Sequence, residues 1–528
     1  MQQLNGIDAS FLYMETATMH FNVCYTVICD LNGDDAPAFA GIWSALSNRV
    51  REYPEFRRRL VEVPLALDHP WWIDDPDFDL AHHLHHIALP QPATMRTFEQ
   101  LIGRLACGRL DRRYPLWQAW LIEGLPDGRF ALFFKYHHAL VDGVSGARLT
   151  LNACDPESGA GLRALPRAIT GEPVPERAEL VRIALQHLVR RPEKLLRVVR
   201  DSVRGVVALL RTERQLQTHQ AGSDHVRAAP YRAPQTLFNH QLSARRDYAQ
   251  IILPMDRLRA IKAAAGVTLN DLVLAIVGGG LRRYLDEHGG IPEQSLIAMV
   301  PVSVRRPDEQ EVRNRVSGMW ATLATDIADP VERLQTIHAD AQQAKTEHGA
   351  VGGEILEEWA EFNAPGFRLA IDLYRESGLT EVAPPVHNLI VSNIPGTPET
   401  RTLAGYPVEA ICPIGPVMEG VGLNITLLSY GNTLGFGVYV DAEQVSDPER
   451  IGAAIEAEYR EFARRLLPKS AQTGSGAGRR KKPAQSKPRA RANTSTRKTR
   501  SAVPSRRSRK AASTLGQNPL DRLNARKD

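Results

Sequence analysis

The sequence predicts a layered α/β, or mixed α+β, fold built in two successive regions. Short β-rich runs alternate with segments of helical period on both sides of a Gly-, Pro-, Ala- and Glu-rich break near residues 155–175. Apolar residues make up 43% and charged residues 24% of the chain, which suits a protein with real cores and excludes a collagen-like or wholly disordered one. A length of 528 residues leaves room for more than one such core.

The elements follow in order. Over residues 1–155, segments 19–29 and 129–136 read as strands, and 39–52 and 97–109 as helices. Residues 156–235 read as a linker. Its segment 176–216 carries 10 basic and 5 acidic residues, and Leu196, Val199, Val203, Val206 and Leu210 recur on one helix face. Pro192 divides it into two helices. Such a helix either covers the core or meets an anionic lipid surface. In the second region, 236–468, segment 248–253 reads as a strand and 255–265 as a helix. Segment 270–285 reads as a second helix, with Asn270 or Asp271 near its cap. Strands are expected at 295–302, 319–325 and 389–393, and a closing helix at 449–467. Residues 420–440 are uncharged and long enough to span a bilayer. Their glycines, two asparagines and a Gly431-Asn432 turn signal read instead as a buried hairpin.

Charge divides the chain again. The overall +5 averages a tail, residues 469–528, with 18 Lys/Arg and 2 Asp/Glu, and a body with 47 basic and 58 acidic residues. The tail lacks aromatics and is expected to be disordered. Any contact it makes with nucleic acid would be mainly with phosphate, and a nucleic-acid partner is not expected. No Lys or Arg precedes Arg49, so no secretory signal is expected. The five cysteines, Cys24, Cys29, Cys107, Cys154 and Cys412, are odd in number and form no CxxC pair. They read as buried thiols in a reducing, cytoplasmic setting.

The most informative run is His137-His138-Ala139-Leu140-Val141-Asp142-Gly143, at the end of an apolar strand. Adjacent side chains on a strand end point to opposite faces, so one imidazole can face a cavity while its neighbour packs behind it. Histidine suits proton removal near neutral pH, an Asp at this distance can orient a ring or brace the loop, and Gly143 lets the chain turn. Neither a GxSxG nor a GxxxxGK[ST] pattern is present. The run His82-His83-Leu84-His85-His86 lacks companions that would complete a metal site, and no metal is expected. Trp71, Trp72 and Trp117 read as packing anchors.

The HHxxxDG run resembles the motif of the CoA-dependent acyltransferase superfamily, which includes chloramphenicol acetyltransferase and peptide-synthetase condensation domains. Its surroundings resemble the bacterial wax ester synthase/diacylglycerol acyltransferase family. The resemblance rests on residues 7–13, on Pro115-Leu116-Trp117 within 111–117, on Asn270-Asp271, on 301–305 and 314–317, and on Ser392-Asn393-Ile394-Pro395-Gly396. It implies two chloramphenicol-acetyltransferase-like subdomains with an active-site tunnel at their interface. His138 would be the general base, His137 a secondary catalytic residue, and Asp142 a structural support paired with an Arg, with Arg305 one candidate. Pro115, Leu116, Trp117, Asn270, Asp271, Ser392 and Asn393 would contact substrate. A helix cap at Asn270 and a turn at Ser392-Asn393 are the competing readings.

The resemblance also implies acyl-CoA as a substrate, no cofactor, and diacylglycerol or a long-chain alcohol as acceptor. The enzyme would be cytoplasmic and peripheral to the membrane or to lipid inclusions. Two other readings stand beside it: a condensation-type enzyme using a carrier-protein thioester, and a non-catalytic lipid-body or nucleic-acid binder acting through the tail.

Overall fold

The computed structural model describes residues 1–156, 171–190, 232–303, 316–348, 378 and 384–468. The tail, Arg305, and the expected helix face from Leu196 to Leu210 with Pro192 lie outside these residues. The described residues belong to one compact unit.

The chain begins with β1 (Gln2–Gln3) and α1 (Gly6–Met14), a helix started by the Asn5 side chain, which accepts the Asp8 N–H. Next come β2 (Asn22–Asp30), α2 (Phe39–Glu52), β3 (Arg58–Val61), β4 (Trp71–Asp74), β5 (Leu84–Ala88) and α3 (Met95–Ala106). A hairpin of β6 (Trp117–Leu125) and β7 (Arg129–His137) leads to α4 (Gly143–Asn152), β8 (Asp155–Pro156) and α5 (Arg177–Arg190).

The second half holds β9 (Arg246–Pro254), α6 (Met255–Ala265), α7 (Leu269–Glu287), β10 (Ile297–Ser303), β11 (Val316–Thr322) and α8 (Pro330–His348). It ends with β12 (Leu389–Thr397), β13 (Arg401–Leu403), β14 (Tyr406–Ile414), β15 (Leu423–Tyr430), β16 (Thr433–Asp441) and α9 (Pro448–Leu466).

Two large sheets organise these strands. One runs β5-β6-β7-β2-β14-β13-β8, the other β11-β10-β12-β15-β16-β9, and a small third sheet runs β1-β4-β3. Strand β14 comes from the second half of the chain yet lies against β2, with Ile411 opposite Val27. Each large sheet has its own apolar core. A third core joins them, where Phe21, Phe98 and Phe133 meet Tyr248, Ile414 and Tyr439. Each fully buried large apolar side chain contributes about 1.5–3 kcal/mol, so this shared core ties the two sheets strongly.

The uncharged stretch folds as the expected hairpin. Tyr430 pairs with Thr433 across a two-residue turn, and Gly431 takes φ +55°, a left-handed value that glycine adopts without a Cβ clash. Among the described residues no single helix is long and apolar enough to cross a membrane.

Two expectations shift. The expected strand over 319–325 is β11 instead, because Ala324 turns left-handed at φ 45° and ends the pairing that runs from Ile297–Thr322 to Ser303–Val316. Asp271 lies near the cap of α7 as expected, while the N-cap itself is Thr268. The Thr268 side chain accepts the Asp271 N–H, and Asp271 accepts the Thr268 N–H in return, a capping box that starts the helix one residue earlier than expected.

Candidate active site

Strand β7 ends in the paired histidines, and the backbone sorts them. His137 still pairs with Asn22 of β2 and is 1% exposed. Its Nδ1 accepts the Ala139 N–H at 3.0 Å, so the ring proton of the neutral imidazole sits on Nε2. Burial, helped by the nearby Arg112 charge, pushes this imidazole well below its usual pKa and keeps it neutral. His138 leaves the ladder, its N–H donating to the Phe21 carbonyl at 2.7 Å. Its half-buried ring stacks on Phe11, with centroids 4.2 Å apart.

His138 lines a cavity of about 240 Å³. Phe11, Met14, Phe21 and Val23 form its wall on the side of the first sheet. The opposite wall is the second sheet, whose register stacks Met299, Ile390 and Asn424 in one row and places Ser392 beside Thr426 in the next. Gly415, Pro416 and Met418 close one edge. The lining is mostly apolar, with a few placed polar groups, which is the usual character of a small-molecule site.

Those polar groups are oriented. Asn424 and Thr426 are each 2% exposed. The Thr426 hydroxyl donates to Asn424 Oδ1 at 2.6 Å, and Asn424 Nδ2 donates to the Pro416 carbonyl at 2.8 Å. Together these bonds fix which end of the amide is nitrogen and engage one of its two N–H groups.

Asp142 and Gly143 also line the cavity. Asp142 is the N-cap of α4, accepting the Ser145 N–H at 2.7 Å, and it is buried. The expected turning role of Gly143 is replaced by another. Gly143 starts α4, and a Cβ there would sit 3.2 Å from Ile394 Cδ1, so glycine lets the Ile394 side chain of β12 pack closely on the start of α4. Its carbonyl accepts the Tyr25 hydroxyl.

The remaining expected residues separate into two groups. Ser392 and Asn393 line the cavity, but they lie within β12, opposite Thr426 and Leu427, rather than in a turn. Pro115, Leu116 and Trp117 are outside the lining. Trp117 is fully buried, donates Nε1–H to the Phe56 carbonyl at 2.7 Å and stacks on His83, so it anchors the first core. Asn270 and Asp271 are also outside it; Asp271 is held by Thr268 and by His338 Nδ1 at 2.7 Å. Among the described residues no group of three or more His, Cys, Asp or Glu side chains is placed to hold a metal. Sequence reasoning missed Phe21, Asn424, Thr426 and Gly415, which no local motif marks.

The wax ester synthase/diacylglycerol acyltransferase of Marinobacter aquaeolei VT8 superposes with a TM-score of 0.62 at 26% identity, covering 88% of this chain and 99% of that one. The first condensation domain of the calcium-dependent antibiotic synthetase shares the fold, with a TM-score of 0.51 at 17% identity over 88% of this chain and 97% of that domain. Fold and site thus define an acyltransferase.

The wax ester synthase/diacylglycerol acyltransferase catalytic domain matches residues 4–273, and the C-terminal domain of the same family matches 312–463. A Mycobacterium tuberculosis protein named as a diacylglycerol O-acyltransferase is 36% identical over 443 residues, covering 83% of this chain and 85% of its own. Another of that name from the same organism is 31% identical over 472 residues, covering 88% and 96%. The chain belongs to the wax ester synthase/diacylglycerol acyltransferase family.

Proposed function

We propose that this enzyme moves a long-chain acyl group from acyl-CoA to the hydroxyl of diacylglycerol, of a long-chain alcohol, or of both. The observation that carries this reading is a half-buried histidine on the wall of an apolar cavity between two sheets, in a chain of this family. His138 accepts the acceptor's hydroxyl proton as the oxygen attacks the thioester carbonyl. The tetrahedral intermediate collapses, and His138 returns the proton to the leaving CoA sulfur. Of the polar residues that line the cavity, Asn424 is assigned here as an oxyanion donor, through the N–H that the Pro416 carbonyl does not take, with Ser392 and Asn393 as the other donors nearby. Acyl-CoA is a substrate, and no step needs a resident cofactor. His137 stays neutral behind His138, and Asp142 holds the start of α4. The enzyme would work in the cytoplasm, at the surface of a membrane or lipid inclusion.

The deciding experiment measures acyl transfer from palmitoyl-CoA to diacylglycerol, to hexadecanol and without acceptor, for the wild type and His138→Ala. Product with either acceptor in the wild type, and its loss in the variant, is the expected result. Near-normal turnover by His138→Ala would overturn the mechanism.

A further inference from the structure

We propose that the three-stranded sheet and α5 form the face on which this enzyme rests on a phospholipid surface, with Leu65 as the inserted tip. Among the described residues six large hydrophobic side chains are exposed, and five of them are Met1, Leu65, Leu67, Val174 and Leu185. The sixth, Ile252, lies apart on β9.

The five flank the small sheet, Met1 and Val174 at its Asp74 end and Leu65, Leu67 and Leu185 about the connection at its Trp71 end. Gln2 pairs with Trp72 at the edge of the small sheet, and the Met1 amino group lies 2.9 Å from Glu172 Oε1. The Glu172 N–H donates to the Asp74 carbonyl at 2.8 Å, which brings Val174 to the same edge. Leu65 and Leu67 lie in the connection between β3 and β4. Helix α5 packs on that connection, with His187 Nδ1 2.7 Å from Asp68 Oδ2.

Single exposed leucines are ordinary on protein surfaces. Their concentration here, and the backbone beneath them, are not. Leu65 is 90% exposed, and its φ of 57° is followed by 49° at Ala66. A left-handed Leu-Ala pair is disfavoured where Gly or Asn would fit, and no burial of Leu65 offsets that. The strained turn holds an apolar side chain out into the surroundings.

A lipid surface is the occupant this arrangement fits. Leu65 stands on a projecting tip rather than in a groove, a shape that a fluid acyl layer admits without a matching cavity. The chain that leaves α5 after Arg190, residues 191–231, carries 8 Lys/Arg and 4 Asp/Glu, a charge complementary to phosphate-bearing headgroups. The choice of occupant rests on the reading above that the acceptor is lipid-borne.

The test is sedimentation of the full chain with phosphatidylcholine vesicles, with and without phosphatidylglycerol, in the absence of acyl-CoA. The double variant Leu65→Asn, Leu67→Asn should bind about a hundredfold more weakly, since each buried leucine contributes about tenfold or more. Its melting temperature should equal or exceed that of the wild type, because Asn tolerates the left-handed turn. Ile252→Asn should bind like the wild type. Leu65→Trp should gain tryptophan emission that brominated acyl chains quench.

Wild-type binding by the double variant overturns the proposal, as does an equal loss in Ile252→Asn or no added quenching in Leu65→Trp. So does a changed oligomeric state with unchanged vesicle binding, which would make the face a self-contact. Turnover of detergent-dispersed acceptor should be unchanged in the double variant. Absent turnover in the wild type would defeat the acyltransferase substrate reading while leaving the vesicle result to stand or fall separately.

Discussion

His137 Nδ1 accepts the backbone N–H of Ala139 at 3.0 Å, and this bond fixes both the tautomer of the buried ring and the path of the chain toward Asp142. A leucine in place of His137 would leave that buried N–H unpaired, at a cost of about 1–3 kcal/mol. An asparagine there could supply an acceptor oxygen in nearly the same place. Urea unfolding should therefore rank His137→Leu well below His137→Asn, with His137→Asn near the wild type.

The same ring gives an acid dependence of definite sign. Its pKa is lowered in the folded chain by burial, whereas the unfolded chain takes up the proton near about pH 6.5. The stability it contributes is fully present above that pH and is lost as pH falls below it. His20, His83 and His387, each lowered to about 4 by burial, act in the same direction. Stability measured from pH 7 downward should fall less steeply in His137→Asn than in the wild type; parallel curves would remove His137 from the account.

His138 faces the cavity rather than the core, so its loss should be chemical rather than structural. His138→Ala is expected to lower kcat by about 10²–10⁴, the range of a general base, with a melting temperature close to that of the wild type. Steady-state kinetics beside a thermal melt separates this from His137→Leu, where stability changes first.

Parts of this site were legible in the sequence because they are local. The HHxxxDG run lies on one strand end and one helix start, and the Gly431-Asn432 turn fixes the hairpin of β15 and β16. Phe21, Asn424 and Thr426 come together only through the packing of the two sheets, which no spacing along the chain encodes. Strand β14 joins the first sheet although it follows most of the second in sequence, so its place depends on long-range pairing with β2. Pro115-Leu116-Trp117 is a recognisable motif whose position shows a core role that the motif alone does not state.

Gly143 tests how tightly the two halves of the site are set. An alanine Cβ would lie 3.2 Å from Ile394 Cδ1, and the next contact, Ile394 Cγ1, is at 3.6 Å. Relief needs the Ile394 side chain to give by a few tenths of an ångström, and overpacking of this kind costs about 1 kcal/mol. Gly143→Ala should lower both stability and kcat/KM. Adding Ile394→Val removes the clashing methyl and should recover most of the stability. A double variant no more stable than Gly143→Ala alone would show that the contact is not the cause.

Glu99 on α3 sits where the first half of the chain meets β9. It is 8% exposed, its Oε1 accepts the Gln250 N–H at 3.1 Å, and Arg96 lies 3.8 Å away. Burial pushes its carboxyl up to about 7, with Asp247 and Glu449 adding to the rise against the pull of the Gln250 N–H and Arg96. The neutral acid is therefore the form the fold prefers. Its contribution to stability is fully present below the unfolded value of about 4.5 and is lost as pH rises through about 7. Glu99→Gln keeps an oxygen for the Gln250 N–H and never ionises. The variant should match the wild type near pH 4.5 and exceed it above pH 7, by on the order of 2 kcal/mol. Unfolding at a series of pH values reads the difference directly, and a constant gap across the series would assign it to packing rather than to the proton.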